Sequence, residues 1–107
     1  MRNKMDEKTK TQIKDMIHKN KVFIFMKGTP DAPECGFSMR TIEILKSYKV
    51  EFGYFNIFED EEIRQAVKEY ANWPTIPQVY INGKFIGGCD ITEELHKSGK
   101  LKKLIEE

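Results

Sequence analysis

The chain has 107 residues and a formal net charge of +1, with 33% charged, 39% hydrophobic and 11% aromatic residues. That length suits one compact domain rather than two, and 18 Lys and Arg against 17 Asp and Glu leave no clustered basic surplus of the kind a nucleic-acid binder carries. Two cysteines are too few for a disulfide-stapled secreted scaffold, so a reducing compartment is the simpler setting.

In chain order, MRNKMDEKTKTQ has no apolar core and is no secretory signal, and its acidic residues disfavour an intact organellar presequence. A presequence already removed, or a start at Met5, is compatible with it. About residues 1–7 are read as a disordered extension of a single domain spanning 1–107. Within residues 6–19, Ile13, Met16 and Ile17 recur at helical spacing. Val22 to Met26 (VFIFM) is the longest apolar run, far below the ~20 residues of a membrane span, and fits a strand buried on both faces. KGTPDAPE follows as a loop. From about residue 36, Met39, Ile42, Leu45 and Tyr48 predict a helix, and EFGYFNI at 51–57 a second strand. EDEEIRQAVKEYANWP opens acidic, as suits a helix N-terminus, carries Ile63, Val67 and Tyr70 on one face, and stops at Pro74. Asn82-Gly83 between alternating apolar residues predicts a hairpin. A last helix runs from Asp90, whose spacing to Glu93 is that of a capping box.

Two strands flanking a helix should lie parallel through a right-handed crossover, and the last two form an antiparallel hairpin. The expected fold is therefore α/β: a mixed four-stranded sheet with helices on both faces, the thioredoxin-like arrangement.

Cys35 ends a loop and opens a helix. Free backbone N–H groups and the helix dipole stabilise a thiolate there, with Lys27 and Arg40 adding positive charge. That setting favours a reactive or ligating thiol over an inconsequential loop cysteine. In a dithiol motif the position three residues on would be a second cysteine; here it is Ser38. In WPTIPQ, Pro77 opens a strand; a proline there is commonly cis in the thioredoxin-like fold, which would expose the backbone of Ile76 to an extended peptide ligand, the alternative being a plain turn proline; Trp73 reads as packing. In GGCDITEE, Gly87 and Gly88 permit a close approach, and Asp90 and Thr92 open a helix mouth that favours a carboxylate. Cys89 is either a small buried residue or a thiol near enough to bridge Cys35 under oxidation. His18 and His96 lack metal-ligand spacing and read as solvated surface.

Taken together, FMKGTP, CGFS and WPTIPQVYINGKFIGGCDI resemble the monothiol glutaredoxins of the CGFS type, over about residues 8 to 105. The resemblance implies glutathione binding. Lys27 and Arg64 would hold the glycine carboxylate, and the Ile76 backbone beside Pro77 would pair with the cysteinyl portion. Cys89 and Asp90 would hold the γ-glutamyl end. Cys35 would face the glutathione sulfur, with Gly36 and Phe37 shaping the groove. The resemblance also implies an iron–sulfur carrier. A [2Fe-2S] cluster is commonly held by four thiolates; two chains would each give Cys35, and two glutathiones the other two. Ser38 denies Cys35 an intramolecular disulfide that would compete. A homodimer around the cluster, a mixed dimer with a BolA-like protein, and recipient apoproteins are the implied partners, in cytosol or mitochondria. The alternative is a glutathione-dependent oxidoreductase, which needs only one protein thiol.

Overall fold

The structure, a computed structural model, describes residues 6–107. In chain order it runs α1 (Glu7–Ile17), β1 (Val22–Met26), β2 (Gly28–Thr29), β3 (Ala32–Pro33), α2 (Gly36–Lys46), β4 (Phe52–Asn56), a 3-10 turn (Ile57–Glu59), α3 (Glu61–Ala71), β5 (Gln78–Ile81), β6 (Lys84–Gly87), α4 (Cys89–Ser98) and α5 (Lys100–Glu106). Of the extension read at about residues 1–7, residues 1–5 lie outside the described ones; Asp6 caps α1 by accepting the Thr9 N–H at 2.7 Å.

The main sheet has the order β4-β1-β5-β6, with β1 parallel to β4 and antiparallel to β5, and β5 antiparallel to β6. This is the expected mixed sheet, and β1 is its central strand by virtue of composition. All five residues of VFIFM are buried, and alternation sends them to two different cores. Phe23 and Phe25 join Ile13 and Ile17 of α1 and Ile63 and Val67 of α3. Val22, Ile24 and Met26 join Ile42 and Leu45 of α2 and Leu101 and Ile105 of α5. A strand with water on neither side favours apolar residues wherever no buried partner awaits a polar one, which is why the run reads as unbroken apolar sequence.

The β5–β6 hairpin turns on Asn82 and Gly83, both at positive φ (54° and 77°), as a two-residue primed turn requires. A Cβ on Gly83 would collide with the His18 ring. His18 is thus an exposed side chain laid against the turn, with Nδ1 2.7 Å from the Lys14 carbonyl. His96 is also exposed, and its Nδ1 lies 2.5 Å from the Tyr48 hydroxyl.

Four local expectations are corrected. Residues 27–34 are not a plain loop: β2 and β3 form a small antiparallel arm, Gly28 opposite Pro33 and Thr29 opposite Ala32. Gly28 makes the arm possible, with φ at 90° and only 2.6 Å between a notional Cβ and the Ala32 oxygen. Met39 is not on the buried stripe of α2 but 49% exposed, because the stripe is turned by one residue. The helix buries Ser38 and Thr41 alongside Ile42 and Leu45, and both hydroxyls are satisfied, Thr41 donating to the Phe37 carbonyl at 2.8 Å and Ser38 accepting the Lys27 N–H at 3.1 Å. Asp90 and Glu93 do not form a capping box. The N-cap of α4 is Gly88, Asp90 sits exposed in the first turn, and Glu93 turns toward Arg40 Nη1 at 3.9 Å. Finally, the last helix is two helices, broken at Gly99 in the left-handed region (φ 83°).

Candidate functional site

Cys35 is the N-cap of α2. Its extended backbone (φ −158°, ψ 137°) leaves the β3 arm, and its carbonyl accepts the Met39 N–H at 2.9 Å. The first-turn N–H groups of α2 are unpaired within the helix, and two of them act on the thiol. The Cys35 pKa is lowered chiefly by the Ser38 backbone N–H, with the Phe37 N–H, the Lys27 charge and the Ser38 hydroxyl adding to it, while partial burial opposes them. Arg40, expected to help, does not face Cys35: its Nη1 lies 3.9 Å from Cys89 Sγ, and its guanidinium stands over the Phe37 ring. Lys27 is held beside Cys35 from two directions. Its N–H donates to Ser38 Oγ, and its carbonyl accepts the Glu34 N–H at 2.9 Å.

The lowered pKa has a direct consequence. Alkylation of Cys35 by iodoacetamide, followed against pH, should show its midpoint below the ~8.5 of an unperturbed thiol. A midpoint at or above that value would remove the helix-end argument. The linked stability follows: ionised Cys35 stabilises the fold above the unfolded pKa, and that contribution fades as pH falls through the lowered folded pKa.

Beside the thiol lies a groove of about 610 Å³, in the range of small-ligand sites, where ~300–1,000 Å³ is usual. Lys27 from the end of β1, Phe37 from α2, Arg64 and Lys68 from α3, residues 73–77, and Gly88–Ile91 line it. It thus gathers Lys27, Phe37, Arg64, Ile76, Pro77, Cys89 and Asp90. Cys35 and Gly36 are not in the lining; they stand just ahead of Phe37, at the head of α2. The Ile76–Pro77 bond is cis, as expected.

Three cationic side chains face this groove, against the single carboxylate of Asp90. Arg64 ion-pairs with Glu61 at 3.7 Å and stacks on Phe58, but its Nε is buried without a partner, as is Trp73 Nε1. The start of α4 has no side-chain cap, so its first N–H groups are open. Cys89 is a free, buried thiol. The two glycines before it serve the protein's own packing rather than a passing ligand: a Cβ on Gly87 would meet Ile91 Cβ at 2.7 Å, and one on Gly88 the Pro77 oxygen and Trp73 Nε1 at 3.2 Å each.

Lys68 and Trp73 were not among the residues read as binding. Lys68 was findable, one turn beyond Arg64 and therefore on the same helix face. Trp73 does pack, its ring 5.5 Å from that of Phe85, but it lines the groove as well.

The glutaredoxin family model matches residues 22–86. An uncharacterized, ycf64-like monothiol glutaredoxin of Synechocystis is 48% identical over 102 residues, covering 95% of this chain and 95% of its own. The chain belongs to the monothiol glutaredoxins. Monothiol glutaredoxin-S11 of rice, Oryza sativa subsp. japonica, is 52% identical over 101 residues; these are 94% of this chain but 21% of the rice protein, so the glutaredoxin described here spans about a fifth of that relative. The mitochondrial monothiol glutaredoxin-5 of Saccharomyces cerevisiae is 48% identical over 98 residues, 89% of this chain and 65% of its own. Among solved structures, reduced apo poplar GrxS14 superposes with a TM-score of 0.81 at 52% identity, covering 91% of this chain and 89% of that one. A buckwheat glutaredoxin in complex with glutathione shares the fold, with a TM-score of 0.83 at 23% identity over 94% of this chain and 89% of that one. Among the described residues, no helix of this glutaredoxin is long and apolar enough to cross a membrane.

Proposed function

We propose that this glutaredoxin binds glutathione in the groove, and that two copies hold a [2Fe-2S] cluster between them as cargo for recipient apoproteins. The observation that carries the reading is a single exposed-side thiol of lowered pKa at the head of α2, next to a groove with three cations. Glutathione has a carboxylate at each end. Lys27, Arg64 and Lys68 suit the glycine carboxylate, while the open N–H groups at Cys89 and Asp90 suit that of the γ-glutamyl end, whose ammonium the Asp90 carboxylate would balance. The buckwheat glutaredoxin of the same fold holds glutathione.

The protein's donors fit a shared cluster and not a private one. Among the described residues, no group of three His, Cys, Asp or Glu could hold a metal ion. Cys89 is buried against Arg40. One chain therefore offers Cys35 alone, a quarter of a four-thiolate set. A second copy and two glutathiones complete it, and ligands that can dissociate suit a cluster that is handed on. The recipients, and a BolA-like partner in place of the second copy, belong to the same proposal.

The lowered Cys35 pKa also favours a second reading, thiol–disulfide exchange. The Cys35 thiolate would attack the glutathione sulfur of a glutathionylated protein, releasing that protein's thiolate. A second glutathione thiolate would then attack the Cys35 mixed disulfide, releasing Cys35 and forming oxidised glutathione.

Anaerobic reconstitution with ferrous iron and sulfide separates the two. With glutathione present, a brown dimer should form; without it, colour should be absent. A colourless monomer in both cases would sink the carrier reading, and turnover of a glutathionylated peptide would then support exchange.

A further inference from the structure

The groove wall formed by residues 73–77 is short of backbone donors, since Pro74 and Pro77 have no N–H. It leaves α3 through Asn72 in the left-handed region (φ 51°), where the Trp73 N–H closes on the Lys68 carbonyl at 2.9 Å. That bond fixes where the wall begins. The carbonyls that follow are held from behind by one side chain, Gln78, the first residue of β5. Its Nε2 lies 3.1 Å from the Trp73 carbonyl and 3.4 Å from the Thr75 carbonyl, and its Oε1 accepts the Tyr80 hydroxyl at 3.3 Å.

Gln78 has no solvent exposure, which is costly for an amide unless its polar atoms are paired. Here both amide hydrogens have an acceptor and the oxygen has a donor. The bonds also fix the orientation of the amide, because only an NH2 group can face two carbonyls. Tyr80 is itself buried, and burial pushes its pKa upward, so it stays a phenol able to donate. Gln78 does not line the groove. It touches the segment that does, at the residues on either side of Pro74.

We infer that Gln78 is a positioning residue for the ligand groove: its buried amide pins the Trp73 and Thr75 carbonyls and so sets the wall against which glutathione lies, an inference that rests on the glutathione reading above. Without that clamp the 73–77 segment keeps its α3 anchor, its entry into β5, the Ile76 side chain in the core and the Trp73 ring against Phe85, but loses the hydrogen bonds that orient its Trp73 and Thr75 carbonyls. The groove would then spend part of its time in shapes that do not bind, and apparent affinity would fall by that fraction.

The test uses the full chain with Gln78→Met and Gln78→Glu, titrated with reduced glutathione by calorimetry and by the fluorescence of Trp73 from about pH 5 to 8, a span over which a buried carboxyl can titrate. Gln78→Met, which keeps length and loses every hydrogen bond, should bind glutathione about tenfold more weakly than the parent at every pH, as expected if the competent groove is populated only about a tenth of the time. Gln78→Glu should bind near the parent at the acid end, where its protonated carboxyl can donate to one carbonyl. It should lose affinity relative to the parent as pH rises and its carboxylate repels both. Cys35 alkylation should keep the parent's midpoint in both variants, since the head of α2 is untouched. Gln78→Met binding as tightly as the parent would overturn the inference, even if its melting temperature dropped. Should Gln78→Met fail to fold, Gln78→Glu decides, and an affinity that tracks the parent's at all pH values would overturn it. A parent that binds no glutathione overturns the reading on which the inference rests, and the inference with it.

Discussion

Replacing Cys35 by serine should abolish the brown, glutathione-dependent dimer while leaving the protein as stable as before, or more so. A serine hydroxyl is not ionised at neutral pH and is no substitute for a thiolate ligand, so each chain would contribute nothing to the four-thiolate set. The stability half of the prediction comes from the cap geometry. Cys35 holds the N-cap backbone conformation with its sulfur near the Phe37 and Ser38 N–H groups, but a neutral thiol is a weak acceptor and makes no cap hydrogen bond, and no acidic residue occupies the first turn. Serine is among the preferred N-cap residues because its oxygen accepts a first-turn N–H, a contribution of roughly 0.5–2 kcal/mol over a residue that cannot. At a pH below the Cys35 pKa, where no thiolate contribution is lost, Cys35→Ser should therefore melt at or above the parent temperature. Spectra after anaerobic reconstitution and thermal unfolding of the same sample read both halves together. Retained colour would mean that the cluster ligand lies elsewhere, Cys89 being the remaining candidate. Lost colour with a large loss of stability would mean that the effect came through the fold. A cysteine at a helix position better served by serine is a site where local stability has yielded to chemistry, and such local inconsistency is what marks functional residues.

The same contrast shows what was legible in the sequence. The sheet was, since each strand carried its own signal: unbroken apolar residues in the central β1, and Asn82-Gly83 at the β5–β6 turn, where two positive φ values leave few other choices. Helix existence was legible as well, but not helix facing. Apolar spacing pointed Met39 inward, whereas the buried stripe of α2 begins with Ser38 and Thr41, two polar residues satisfied by partners that periodicity cannot reveal. The D-x-x-E spacing at Asp90 suggested a capping box for a similar reason. A competing partner, Arg40, holds Glu93 from a helix some fifty residues earlier, and Gly88 takes the cap. Within the site, the groups lying along the chain near Cys35 were readable. The contributions that depend on tertiary approach were not: Trp73 in the groove, the Arg40–Cys89 contact and the Gln78 clamp. Gln78 in particular sits in a strand that otherwise reads as apolar, and only its buried partners explain why a polar residue is there.

Ser38→Ala should lower stability and raise the Cys35 pKa in one step, because a single hydroxyl serves both. Ser38 is fully buried, and its Oγ accepts the Lys27 N–H at 3.1 Å. Alanine leaves that N–H without its acceptor in a partly buried setting, at a cost of roughly 1–3 kcal/mol. The loss falls at the point where β1 ends and the β2–β3 arm begins, so Lys27 should be held less firmly beside the thiol. The Cys35 pKa should rise for two reasons: the hydroxyl that lowers it is gone, and the Lys27 charge is less well placed. The rise should be partial. The backbone N–H of residue 38 is the largest influence, and alanine keeps it. Denaturant unfolding and the pH midpoint of Cys35 alkylation measure the two effects independently. A lower stability with an unmoved midpoint would reduce Ser38 to a clamp on the chain; an unmoved pair would refute both roles. The comparison with Ser38→Cys then follows. Sulfur is a weaker acceptor for the Lys27 N–H and a larger atom in a fully buried site, so this variant should also be less stable. It would add a second thiol one helical turn from Cys35. A pair at that spacing can oxidise to an intramolecular disulfide, which would withdraw Cys35 from glutathione and from any metal. Serine at position 38 thus keeps the hydrogen bond that places Lys27, supports the Cys35 thiolate, and denies it a disulfide partner within its own helix.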